Sequence, residues 1–242
     1  MAELSDVDRL MALRTTGLLD TAPEEAFDRV TRLASRILGA PVSLISLVDA
    51  DRQFFKSQVG LPSPYNQTRQ TPLSHSFCQQ VVKTEGVLRV TDSRADPRVC
   101  DNLAVRDLKV VAYLGVPLKM PDGSVLGSLC AIDSTPRAWP EQDIAALTDL
   151  AQTVMDQIAL RLEMGKRREA ERQQKLLIAE LHHRVKNTLA VVQSIVGMSV
   201  RTATSLAGLR DSITARLMSL ANTHTLLADQ GWQSTSLKDF TS

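Results

Sequence analysis

Long apolar runs are missing from this chain, and so are abundant aromatic side chains, an excess of either charge and a cysteine framework. Only 4% of its 242 residues are aromatic. No stretch approaches the ~20 apolar residues that a membrane-spanning helix needs. The N-terminus, MAELSDVDRLMALR, has no basic stretch ahead of an apolar core, which excludes a secretory signal there. Lys and Arg total 28 against 27 Asp and Glu, a net charge of +1, so no global field draws the protein to nucleic acid or to an anionic membrane. Three cysteines, Cys78, Cys100 and Cys130, are an odd number at wide spacing. That excludes a disulfide framework and fits a reducing, cytoplasmic setting. Cys78 in SHSFCQQVV and Cys130 in LGSLCAID lie among apolar neighbours and read as buried thiols.

What is present is a 43% hydrophobic chain, ample for a core. In DTAPEEAFDRVTRLASRILGA, Thr21 and Glu24 have capping-box spacing, and Phe27, Val30, Leu33 and Leu38 recur at helical spacing up to Gly39. PVSLISLVDADRQFFKSQVG then reads as two strands joined by a polar turn at Asp49 to Arg52, followed by a helix near Ser76 to Lys83. The short runs VLRVTD, VVAYLGVPLKM and SVLGSLCAID are bounded by turn signals such as Pro121-Asp122-Gly123. The expected fold class is α+β, an antiparallel sheet flanked by helices.

From Glu141 to about Val200 there is no proline and the composition favours one long helix. Ile144, Leu147, Ala151, Val154, Ile158 and Leu162 alternate steps of three and four, the spacing of a coiled-coil seam. A break near Arg201 to Ser205 precedes a second apolar stripe, Leu206 to about Ala228, in which Met218 falls, as Met198 does in the first helix. Two helices alone bury too little apolar surface, so a symmetric homodimer forming a four-helix bundle is expected.

ELHHRVKNTLA places two histidines inside that long helix. At about 100° per residue, Leu177, Leu181, Val185, Thr188, Val192 and Ile195 share the face that enters the bundle. His183 lies nearly opposite, presented to solvent, and His182 at the flank, where it packs partly against a neighbouring helix, so only His183 is expected to be presented. Glu180, Arg184, Lys186 and Asn187 surround His183 at helical spacing. An imidazole with a carboxylate, an amide and two cations suits phosphoryl transfer.

ELHHRVKNTLAVVQSI resembles the phospho-acceptor box of the HWE and related HisKA_2 histidine kinases, and RLMSLANTHTLLADQGW resembles their second helix, with His224 and Trp232 at matching positions. The resemblance implies that His183 takes the phosphoryl group, that the protein is a sensor histidine kinase of a two-component system, and that a response regulator receives it. Arg184 stands where better-known histidine kinases carry an acidic residue. A base must therefore come from Glu180 or from an ATP-binding domain, and Asn187 is positioned for a phosphatase contribution. His224, on the apolar stripe, reads as a core histidine.

The first 160 residues resemble a GAF domain through DRQFFKSQVGL, SHSFCQQVV, VTDSRADPRVCDN and AYLGVPLKMPDGSVLGSLCAID. Such a domain senses an unidentified cue; no cofactor and no metal are expected in it, Cys78 reads as a core residue, and Asp92, Asp96 and Arg98 as turn and surface residues. The organisation implied is a GAF domain over 1–160, a helical linker over 161–175 and a dimerisation and phosphotransfer hairpin over 176–242, with ATP held by a domain absent from this sequence. A non-enzymatic phosphotransfer or dimerisation module and a plain ligand-binding GAF protein stay open as alternatives.

Overall fold

The structure is a computed structural model that describes residues 3–236, with side chains as far as residue 221. It divides into two compact units, Met1–Arg167 and Arg168–Ser242.

The first unit is built on six antiparallel strands: β1 (Val42–Val48), β2 (Arg52–Val59), β3 (Gln70–Pro72), β4 (Leu88–Val90), β5 (Ala112–Lys119) and β6 (Val125–Asp133). Their order across the sheet is β3-β2-β1-β6-β5-β4. Side chains alternate between faces along a strand, and both faces here are covered. Ile45, Leu47, Leu114, Val116, Leu126 and Leu129 enter one core with α1 (Val7–Thr15), α2 (Glu25–Leu38) and the start of α6 (Glu141–Thr202). Leu44, Val48, Tyr113 and Cys130 enter the other, against α4 (Cys78–Thr84) and α5 (Leu103–Asp107). A single turn, α3 (Tyr65–Thr68), precedes β3. The β1–β2 hairpin turns at Asp49, whose N–H donates to the Arg52 carbonyl at 2.8 Å. The helix α1 has no periodic signal in the sequence; its N-terminus is capped by Asp6, which accepts from Arg9 N–H at 2.9 Å.

Two expectations are corrected in this unit. The Thr21/Glu24 capping box does not form: Glu24 precedes α2 without a side-chain cap. Its carboxylate instead accepts from Lys56 at 2.6 Å and from Arg161 at 2.9 Å, while the Thr21 hydroxyl donates to the Leu18 carbonyl. Lys56 is fully buried on β2, and a buried ammonium takes the nearest carboxylate in preference to a solvated N–H doing so. The heptad-like stripe of α6 is likewise no coiled-coil seam. Leu147, Ala151, Val154 and Ile158 are buried in the first unit's own core, with Ile144 and Leu162 packed at its edge.

The second unit contains the rest of α6 and α7 (Leu206–Ser236), with a short break between them. α7 runs past the expected stop near Ala228, because Gly231 alone does not end a helix. Within this unit Val192 and Ile195 are partly covered, with Leu209, Ile213 and Leu217 partly covered on α7. Leu177, Leu181, Val185 and Leu189 are each more than half exposed. Met198 and Met218, expected in the core, are exposed as well, since a two-helix unit covers only one strip of each helix. The side chains of His224 and Trp232 lie outside the described residues.

Candidate functional site

His183 projects from α6 in the second unit, exposed to solvent. The expected contrast with His182 is not found: His182 is exposed too, because the flank on which it lies is uncovered in the single chain. The ring of His183 has one partner among the described residues, the Asn187 amide, whose Nδ2 is 3.4 Å from Nδ1. The residues are four apart, one turn along the helix. Oxygen and nitrogen of an amide exchange by a half-turn, so Asn187 accommodates either a protonated or an unprotonated Nδ1. Nε2, at the outer end of the ring, carries no protein hydrogen bond among the described residues.

The carboxylate expected to serve His183 is engaged elsewhere. Arg184 Nε donates to Glu180 Oε1 at 2.7 Å. That hydrogen bond, and the guanidinium charge after it, hold the Glu180 carboxyl below the usual carboxylate range; the charge of His183 contributes least. Lys186, three residues from His183, makes no ion pair among the described residues.

A second site lies in the first unit, beneath α4. A cleft with about 500 Å³ of empty space, its open mouth included, is lined by Leu44, Phe55, Phe77, Tyr113 and other apolar residues, with Gln53, His75 and Cys78 as its polar groups. Gln53 is buried and its amide is satisfied by Ser46, Thr71, Ser76 and the His75 carbonyl. His75 Nε2 meets Asp107 Oδ2 at 3.1 Å at the rim. Cys78 and Cys130 are buried, as expected, whereas Cys100 is half-buried. The Tyr113 hydroxyl donates to Cys78 Sγ at 3.4 Å and lies 3.3 Å from Ser128 Oγ. The Cys130 thiol, and then the Ser128 and Tyr113 hydroxyls, pull the Cys78 thiol down from its ordinary range against the effect of burial. Burial pushes Cys130 and Tyr113 up.

Sequence reading did not single out Tyr113, Gln53 or Lys56. The one available signal was a lysine and a glutamine inside otherwise apolar strand runs. Asp92 and Asp96 hold Arg94 and Arg98 within their own loop, the surface role expected of them. Among the described residues no group of three His, Cys, Asp or Glu is placed to hold a metal, and no helix is long and apolar enough to cross a membrane.

Comparison with known proteins adds to this geometry. Residues 22–162 match the GAF domain family and residues 180–242 match the HWE histidine kinase family. A cyclic di-GMP phosphodiesterase of Pseudomonas aeruginosa is 38% identical over 144 residues, 59% of this chain and 24% of that protein. A blue-light-activated histidine kinase of Rhizobium johnstonii is 44% identical over 63 residues, 26% of this chain and 18% of that protein. The chain thus spans a quarter or less of the length of these relatives. Among solved structures, the GAF domain of a phosphoenolpyruvate-protein phosphotransferase from Coxiella burnetii has the same fold, with a TM-score of 0.50 at 18% identity over 65% of this chain and 96% of that one.

Proposed function

Because the chain belongs to the GAF family and carries an HWE histidine kinase segment after its GAF domain, we propose that it is the sensor and phospho-acceptor part of a histidine kinase that autophosphorylates on His183. The observation that carries this reading is the His183 ring, exposed on α6 with Nδ1 against Asn187 and Nε2 without a partner among the described residues.

The free nitrogen suits in-line attack on the γ-phosphorus of ATP: the P–N bond forms as the bond to the β,γ-bridging oxygen breaks, and ADP leaves. The ring must shed its Nδ1 proton in the process, and an Asn187 amide turned oxygen-first holds that proton until a base takes it. With Arg184 committed to Glu180, Lys186 is the cation available to the phosphoryl oxygens. In the second step a carboxylate of a response regulator attacks the same phosphorus and the P–N bond breaks. ATP is held by a domain other than the two described here, and the uncovered apolar face of α6 pairs with a second copy of the chain. A cue bound by the GAF unit regulates the reaction only insofar as it favours one arrangement of the intervening helix over another.

The test is incubation of the protein, in its full reading frame, with γ-labelled ATP. Acid-labile, base-stable phosphate is expected in wild type and in His182→Ala, and none in His183→Ala. Label that persists in His183→Ala overturns the assignment, and label lost only in His182→Ala transfers it to that neighbour.

A further inference from the structure

We propose that Cys78 and Cys130 form a peroxide-responsive dithiol, in which hydrogen peroxide entering the cleft beneath α4 oxidises Cys78 and Cys130 closes an intramolecular disulfide. This concerns the GAF unit and is independent of the assignment of His183.

The argument begins with strand alternation. Tyr113 and Gly115 on β5 face the same side of the sheet, two residues apart. Cys130 on β6 is the register partner of both Gly115 on β5 and Leu44 on β1. A side chain at position 115 would collide with the Tyr113 hydroxyl, its Cβ falling 2.3 Å from that oxygen. Glycine there lets the Tyr113 ring lie flat along the strand and carry its hydroxyl to Cys78, the first residue of α4. Cys78 lines the cleft while Cys130 belongs to the core behind it. Both cysteines belong to one buried cluster around the Tyr113 hydroxyl, which touches Cys78 Sγ and lies over Gly115, the register partner of Cys130.

An inert core cysteine has hydrocarbon around its sulfur. The Cys78 sulfur instead accepts a hydrogen bond from the Tyr113 hydroxyl at 3.4 Å, in a setting with the Cys130 thiol and the Ser128 and Ser46 hydroxyls that favours the thiolate. The sulfur that faces the cleft is the one so treated; the one behind it is positioned to resolve. The chemistry needs only the peroxide. The Cys78 thiolate attacks one peroxide oxygen, the O–O bond breaks, and the departing hydroxide takes a proton to become water, leaving a sulfenic acid. The Cys130 sulfur then attacks Cys78 sulfur, the S–O bond breaks, and a second water carries off the Cys130 proton. Two thiols lose two electrons and peroxide gains them.

The test is titration of the whole chain with hydrogen peroxide under non-reducing conditions, followed by intact-mass and peptide analysis. Loss of two hydrogens is expected, with one peptide joining the Cys78 and Cys130 segments, reversal by dithiothreitol, and an unchanged outcome in Cys100→Ser. Cys130→Ser should stop at a sulfenic acid on Cys78 that dimedone traps, and Tyr113→Phe should slow oxidation about tenfold, the weight of one hydrogen bond to an anion. Wild-type protein that keeps all three thiols, reacts only at Cys100, or accumulates sulfinic acid at Cys78 without a cross-link overturns the proposal. These readings need wild-type protein alone, so a variant that does not fold leaves the result decided.

Discussion

Arg184 Nε and Glu180 Oε1 stand 2.7 Å apart on successive turns of α6, so the carboxylate nearest in sequence to His183 is paired with a cation instead of with the imidazole. The amide of Asn187 takes the position at Nδ1. The polar residues around His183 thus separate into an ion pair that leaves the ring alone and one amide that touches it.

Asn187→Ala therefore bears on the reactions of His183 more than Glu180→Gln does. With a phosphorylated response regulator supplied, Asn187→Ala should slow its dephosphorylation about tenfold, the weight of one hydrogen bond. Glu180→Gln should leave that rate within a factor of about two. Wild-type dephosphorylation by Asn187→Ala, followed by release of labelled phosphate, removes the amide from the mechanism.

The uncovered face of α6 predicts self-association. Leu181 is 60% exposed and Leu177 66% in the single chain. Leu181→Asp buries a charge if that face pairs with another copy, and should raise the dimer dissociation constant about a hundredfold. Light scattering across a dilution series checks this, and wild type that stays monomeric at every concentration contradicts the pairing.

Lys56 has no solvent exposure, and Glu24 is its carboxylate, at 2.6 Å. Glu24→Gln should cost the first unit about 2 kcal/mol in urea unfolding, since it removes the carboxylate charge and leaves the buried ammonium to neutral acceptors such as Thr21 and the Ala22 carbonyl. Arg161 contacts the same carboxylate from a site 39% exposed, so Arg161→Ala should cost less than about 1 kcal/mol.

At the rim of the cleft, hydrogen bonds from Arg106 and then His75 hold the Asp107 carboxyl down at about 2. A carboxyl lowered in the folded state contributes stability above its ordinary 3.8, and that contribution is lost as pH falls through about 2. A carbon-13 titration should place the midpoint there. Arg106→Ala should move it upward further than His75→Ala does, because the guanidinium makes the larger contribution.

Much of the fold was legible along the chain. The β1–β2 hairpin, the β5–turn–β6 pair and the long helix from Glu141 follow from alternation, from Pro121-Asp122-Gly123 and from an unbroken helix-forming composition. Reading failed where one side chain had two suitors. Glu24 has the spacing of a helix cap, yet Lys56, some thirty residues on, claims it. The apolar stripe from Leu147 to Ile158 fits a second helix and a sheet face equally well, and the sheet was in reach.

The sequence alone determined that His183 is placed opposite the apolar stripe, with Asn187 one turn away, because helix geometry converts residue spacing directly into direction. Only the tertiary structure decided that Glu180 turns to Arg184, that Gly115 makes room for Tyr113, and that Cys78 of α4 and Cys130 of β6 enter one buried cluster. Those choices depend on distances between residues remote in sequence or on rival partners within reach, and spacing along a single chain carries neither.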